Sequence, residues 1–183
     1  NTSNKNSATN LLHQISGLNE VAFMQMLTEQ FPDKVTFSTS FSFEDQVITH
    51  QILANKLPVK IFTLDTGRMF TETYSVWSST NEKYKTTIKA YYPNQHSLEK
   101  FIEENGPNSF YESVDNRKNC CFIRKVEPLQ RALHGNEIWI TGLRAEHSPD
   151  RKDLPAIEWD EVNNIIKYHP ILNWTNDTVK DYI

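Results

Sequence analysis

Three stretches of this chain carry side chains suited to holding an anion, and a fourth carries a pair of thiols. The first is Ser38-Thr39-Ser40-Phe41-Ser42-Phe43-Glu44-Asp45, lying between an apolar run and a helical one. Backbone N–H groups at a helix start bind anions, aided by the helix dipole, and the Ser and Thr hydroxyls add donors. A capped turn needs some of the same residues. Two phenylalanines in so short a turn point to something that must be covered. The Gly-x-x-x-x-Gly-Lys pattern of a Walker loop is absent. The second stretch, Leu64-Asp65-Thr66-Gly67-Arg68, combines a tight turn at Gly67 with an arginine able to reach a phosphate or the next helix. The third, Thr141-Gly142-Leu143-Arg144-Ala145-Glu146-His147-Ser148, runs on to Arg151 and Lys152. Its arginines suit forked recognition of phosphate or sulfate, or else surface ion pairs of little energy.

Cys120 and Cys121 are the only cysteines, and they are adjacent. Separated pairs would indicate a disulfide framework; this arrangement does not, and a cytoplasmic protein is expected. Free cysteine is often a small buried apolar residue. The following Arg124 and Lys125 instead favour the thiolate form that ligates metal. His13, His50, His96, His134, His147 and His169 show no metal-ligand spacing.

These segments need a scaffold, and hydrophobic patterning supplies one. Lys34–Phe37, Val59–Leu64, Thr87–Tyr91 and Glu137–Thr141 read as strands, with shorter β segments near Glu158 and Ile166. Helices are expected over 11–15, 19–30, 44–55, 71–84, 98–104 and 120–133, the last kinked by Pro128. A further helix starts at Thr175, its N-cap. Strands alternating with helices imply an α/β three-layer sandwich around a mostly parallel sheet. Ligands then sit beyond the carboxyl ends of the strands, where the three loops fall. Residues 1–10 are polar and read as a loose leader, with 11–183 forming one domain. The last helix ends without a cap, from which a C-terminally truncated chain is expected.

The chain has 183 residues, 38% of them hydrophobic, with 10 Phe, 7 Tyr and 4 Trp, enough for one core. Its net charge of -4, from Lys+Arg 19 against Asp+Glu 23, argues against a nucleic-acid binder. No run nears the ~18 apolar residues that span a bilayer.

In this order and spacing the segments resemble the adenylyl-sulfate and phosphoadenylyl-sulfate reductase family of sulfate assimilation. The markers are Ser38-x-Ser40-Phe41-Ser42-x-Glu44-Asp45, Leu64-Asp65-Thr66-Gly67-Arg68, Cys120-Cys121-x-x-Arg124-Lys125-Val126-x-Pro128-Leu129 and Thr141-Gly142-Leu143-Arg144. Lys167-x-His169-Pro170-Ile171-Leu172-x-Trp174-Thr175 extends the likeness. Many relatives carry glycine where this chain has Ser42.

The resemblance implies a fold similar to the adenine-nucleotide hydrolases with a modified pyrophosphate loop. Residues 38–45 would be that loop, with Ser38, Ser40, Phe41, Glu44 and Asp45 at the phosphosulfate. Leu64, Asp65, Thr66, Gly67 and Arg68 would flank the adenosine, with backbone groups near Leu64 and Gly142 meeting the adenine edge and Leu143 also in the substrate site. Arg144 and Arg151 would close over the anionic end, and Lys125 would lie between a cluster and the substrate.

The double cysteine resembles that of the iron–sulfur subset, so Cys120 and Cys121 would be two of four ligands of a 4Fe–4S cluster, with no flavin or nicotinamide. The implied reaction reduces adenylyl sulfate to sulfite and AMP through a cysteine S-sulfo intermediate, with thioredoxin or glutaredoxin as reductant. No catalytic cysteine of the implied C-terminal tail occurs in these 183 residues. Alternatives are the phosphorylated substrate, an ATP-sulfurylase-like adenylyltransferase and a nucleotide-binding module without catalysis. Expected partners exclude nucleic acid and membranes and leave a homo-oligomer open.

Overall fold

A computed structural model describes residues 2–183. β-Branched and aromatic residues build a sheet of β1 (Val35–Ser38), β2 (Lys60–Leu64), β3 (Lys89–Tyr91), β4 (Ile138–Ile140), β5 (Ile157–Asp160) and β6 (Ile165–Tyr168). The strand order is β3-β2-β1-β4-β6-β5. All neighbours pair in parallel except β5 with β6, which are antiparallel. Phe37 lies opposite Ile61 on one side and Ile140 on the other, so the central strands stay in step.

The helices are α1 (Thr2–Gln14), α2 (Glu20–Gln30), α3 (Phe43–Ala54), α4 (Thr71–Tyr84), α5 (Gln95–Asn105), α6 (Val114–Cys121), α7 (Glu127–Leu133) and α8 (Asn176–Tyr182). Side chains alternate across the pleat, giving the sheet two apolar faces. Val35, Phe37, Ile138, Ile140 and Ile166 pack with Phe23, Met24 and Leu27 of α2 and Val47, Ile48 and Ile52 of α3. On the opposite face Phe62 and Ile165 meet Ala132 and Leu133 of α7, with Trp139 against them. Each fully buried side chain of this size contributes about 1.5–3 kcal/mol. The expected mostly parallel three-layer α/β architecture is therefore present.

Two local expectations change. The stretch expected as a loose leader lies in α1 from Thr2 onward, while Asn1 is outside the described residues. Ala8 and Leu11 of α1 are buried in the main core, three residues apart and so on one helical face. The kink expected at Pro128 is absorbed upstream. A π-helical segment at Phe122–Val126 joins α6 to α7. Proline offers no N–H to the carbonyl four residues back, so the helix widens before it.

The order of the sheet decides where a ligand fits. From β1 the chain moves outward to β2 and β3, then returns to the far side of β1 with β4. The loops leaving β1 and β4 therefore diverge. Such a switch point opens a crevice at the carboxyl ends of the strands.

Candidate functional site

The crevice is an open cleft of about 480 Å³ between the β1–α3 loop and the loop after β4. Ser38, Ser40, Glu44, Asp45, Leu64, Gly142, Leu143 and Arg151, all expected in a site, line it together. His147 and Met69 line it as well.

The β1–α3 loop is held from within. Ser42 caps α3 by accepting from the Asp45 N–H at 3.2 Å. Asp45 in turn accepts from the Ser40 N–H at 2.7 Å and from the Ser40 hydroxyl at 2.8 Å. Burial pushes the Asp45 carboxyl above its ordinary range, and the bonds from Ser40 and Ser42 only partly oppose this. Phe41 sits at φ 62, a left-handed conformation uncommon for an aromatic residue. Its ring stacks on Trp77 at 5.7 Å, which answers why the turn carries an aromatic there. With Asp45 turned inward, the N–H groups of Ser42 and Phe43 at the start of α3 meet no partner among the described residues. They are the donors available to an anion.

The opposite wall touches this loop directly. A Cβ built on Gly142 would lie 1.9 Å from Asp45 Oδ1, so only glycine lets the two loops approach so closely. Thr141 accepts from the Leu143 N–H at 3.3 Å and shapes the turn.

The arginines separate rather than converge. Arg144, expected to close over an anion, is 1% exposed and faces the protein. Its Nη2 pairs with Glu44 at 2.9 Å and its Nη1 with Glu146 at 3.0 Å. It also donates to the Trp174 carbonyl at 3.1 Å and to Asn176 and His147 Nε2. In this arrangement Arg144 shapes the cleft from behind and has no donor to spare for a ligand. Burial raises the Glu44 carboxyl, but its own backbone N–H and Arg144 outweigh that and hold it below the usual range. Arg68 is likewise diverted, donating to the Pro107 carbonyl at 2.7 Å and Asn108 at 3.0 Å, its guanidinium over the Phe110 ring. Of Arg68, Lys125, Arg144 and Arg151, each expected in the substrate site, Arg151 alone lines the cleft.

The β2–α4 loop serves a second, smaller hollow of about 260 Å³. Thr66, Arg68, Arg117, Cys120, Cys121, Arg124 and Lys125 surround it together with Phe110. Asp65 accepts from the Gly67 N–H at 2.9 Å and from the Tyr74 hydroxyl, fixing the turn. Gly67 has φ +79, and a Cβ there would meet Arg124 Nη1 at 3.2 Å. Arg124 is buried and donates to the Thr66 carbonyl. Cys120 is half-buried and Cys121 exposed, both as free thiols. Two accessible thiols among cations suit a negatively charged thiolate-bound group, supplying two of its ligands. Among the described residues no group of three or more His, Cys, Asp or Glu is placed to hold a metal ion.

His169 was not expected in the site. It is 3% exposed and lies behind the Thr141 turn. In the sequence it stands in the family-like Lys167–Thr175 stretch, and the structure sets it after β6, beside Thr141. No helix among the described residues is long and apolar enough to cross a membrane.

Comparison with known proteins bears on this cleft. Residues 34–183 match the phosphoadenosine phosphosulfate reductase domain. The adenosine 5'-phosphosulfate reductase of Burkholderia cepacia is 44% identical over 151 residues, which cover 82% of this chain and 60% of the relative. That of Allochromatium vinosum is 41% identical over 166 residues, covering 90% and 65%. A crystal structure of phosphoadenylyl-sulfate reductase from Candida auris, a phosphate complex, superimposes with a TM-score of 0.79 at 32% identity. It covers 96% of this chain and 83% of that one. The chain thus spans between 60% and 65% of the length of these two curated relatives.

Proposed function

From a chain that belongs to the phosphoadenosine phosphosulfate reductase domain family, we propose a protein that binds adenylyl sulfate in the switch-point cleft, for reduction to sulfite and AMP. The reading rests on the N–H groups of Ser42 and Phe43, which meet no partner among the described residues, in a loop that Gly142 lets the opposite wall approach closely. Relatives named adenosine 5'-phosphosulfate reductase at 41–44% identity support the choice of substrate.

The chain's own residues bind and orient. The N–H groups of Ser42 and Phe43 at the α3 N-terminus receive the phosphosulfate, the helix dipole favouring its charge. Arg151, which lines the cleft, balances the anion from the opposite wall. Leu64 and the backbone at Gly142 and Leu143 flank the adenosine. Positive charge preorganised at the phosphate favours its departure from sulfur when a thiol attacks. That attack makes a sulfur–sulfur bond as the sulfur–oxygen bond to AMP breaks, and a thioredoxin-type dithiol then displaces sulfite from the S-sulfo thiol and is itself oxidised to a disulfide. Cys120 and Cys121 are the residues that would hold an iron–sulfur cluster, the remaining ligands coming from elsewhere. Bound there, such a group would supply local negative charge near Lys125, which surrounds the same hollow. A cytoplasmic location suits thiol chemistry of this kind, which a reducing compartment supports.

Titration calorimetry with adenylyl sulfate, phosphoadenylyl sulfate and ATP tests the reading. Adenylyl sulfate is expected to bind at least tenfold more tightly than ATP, a difference of about 1.4 kcal/mol. Equal binding of ATP would favour an adenylyltransferase. Tighter binding of the phosphorylated nucleotide would make the protein a phosphoadenylyl-sulfate reductase, as the Candida auris protein is named.

A further inference from the structure

We infer that His169 is a positioning residue, holding the Thr141–Leu143 turn in the shape that forms one wall of the cleft. Its ring lies between two partners. Nε2 is 3.3 Å from Glu158 Oε1, and Nδ1 is 2.5 Å from Thr141 Oγ1. A carboxylate can only accept, so Nε2 carries the ring proton. Nδ1 then accepts from the Thr141 hydroxyl. With its proton committed, Thr141 Oγ1 turns a lone pair toward the Leu143 N–H at 3.3 Å.

Hydrogen bonds therefore run in one sense from Leu143 through Thr141 and His169 to Glu158, from the cleft wall to the edge strand β5. The His169 N–H donates to the Ala156 carbonyl at 2.8 Å, pinning the residue itself.

The chain of bonds needs a neutral imidazole, because a proton on Nδ1 would reverse the bond to Thr141. Burial lowers the His169 pKa below its ordinary value. Glu158 on β5 opposes this, while Lys167 on β6 and Arg151 at the cleft reinforce it. A group whose pKa is depressed by folding contributes fully above its unfolded value, about 6.5 for histidine, and loses that contribution as pH falls through the folded value. The turn is accordingly firm at neutral pH and loosens in acid.

That the turn is held concerns the protein alone; that it matters for nucleotide rests on the function proposed above. The test separates the two. Amide hydrogen exchange at Leu143 is measured without ligand in the full chain, in His169→Asn and in His169→Gln. Asparagine offers an acceptor near the place of Nδ1 and does not titrate. Glutamine reaches toward Glu158 and leaves Thr141 without its acceptor.

Protection at Leu143 is expected to fall about tenfold in the Gln variant and to stay within about twofold of wild type in the Asn variant. Relative to intrinsic exchange, wild-type protection should fall below about pH 6.5 and that of the Asn variant should stay level. Wild-type protection in the Gln variant overturns the assignment. Adenylyl sulfate affinity in the same proteins should follow the same order. Lost protection with unchanged affinity overturns the role in binding. No binding by wild type refutes the proposed function, and the exchange data still decide what His169 does.

Discussion

Replacing Gly142 with alanine should destabilise the protein by about 2–4 kcal/mol in denaturant unfolding. The new methyl would fall 1.9 Å from Asp45 Oδ1 and 3.1 Å from its Cγ. Asp45 cannot swing aside cheaply, because it is buried and its other oxygen holds the Ser40 N–H and hydroxyl. Either those bonds break, leaving buried polar groups without partners, or the two loops part. Both outcomes open the cleft, so adenylyl sulfate affinity should fall with stability. The cause can be isolated by a cycle with Asp45→Ala, which removes the obstructing oxygen. In that background the Gly142→Ala change should cost less than about 1 kcal/mol. A full-sized loss there would place the strain elsewhere.

Arg144→Met should cost about 3 kcal/mol of stability, chiefly by leaving Glu44 and the neighbouring carbonyl and amide oxygens unpaired. Glu44 is 15% exposed at its side chain, so water recovers part of what a wholly enclosed carboxylate would lose. The effect should depend on pH in a definite direction. Arg144 helps hold the Glu44 pKa below its ordinary value, so this part of the stability exists above the unfolded value and is lost as pH falls through the folded one. The gap between wild type and variant should therefore narrow below about pH 4. Glu44→Gln in the same chain should restore part of the loss, since a neutral amide is less costly to leave unpaired. Unfolding data that match wild type, beside a large loss of nucleotide affinity, would instead show Arg144 reaching the ligand.

Much of the scaffold is legible locally. Thr71–Tyr84 can be bounded from its pattern, and Thr175 caps α8 by accepting from the Thr178 N–H at 3.1 Å. The loops at strand ends follow from alternation of strand and helix. What local reading lacks is direction. Arg144 and Glu44 are 100 residues apart, and nothing in either neighbourhood says that they pair. Arg68 looks equally free until the Gly106–Phe110 stretch folds over it. His169 is one of several scattered histidines until β6 sets it beside Thr141. Over residues 2–10 the apolar content is too thin to announce a helix, although Ala8, with Leu11 one turn on, is enough to anchor one.

On the proposed function, the nucleotide's sulfated end sits on the start of α3, between the β1–α3 loop and the turn at Gly142. Backbone amide chemical shifts recorded during titration with adenylyl sulfate test it most directly. The largest changes are expected at Ser40, Ser42, Phe43, Gly142 and Leu143, with AMP moving the first three far less. Changes centred instead on the hollow around Cys120 and Cys121, with residues 40–43 still, would contradict it.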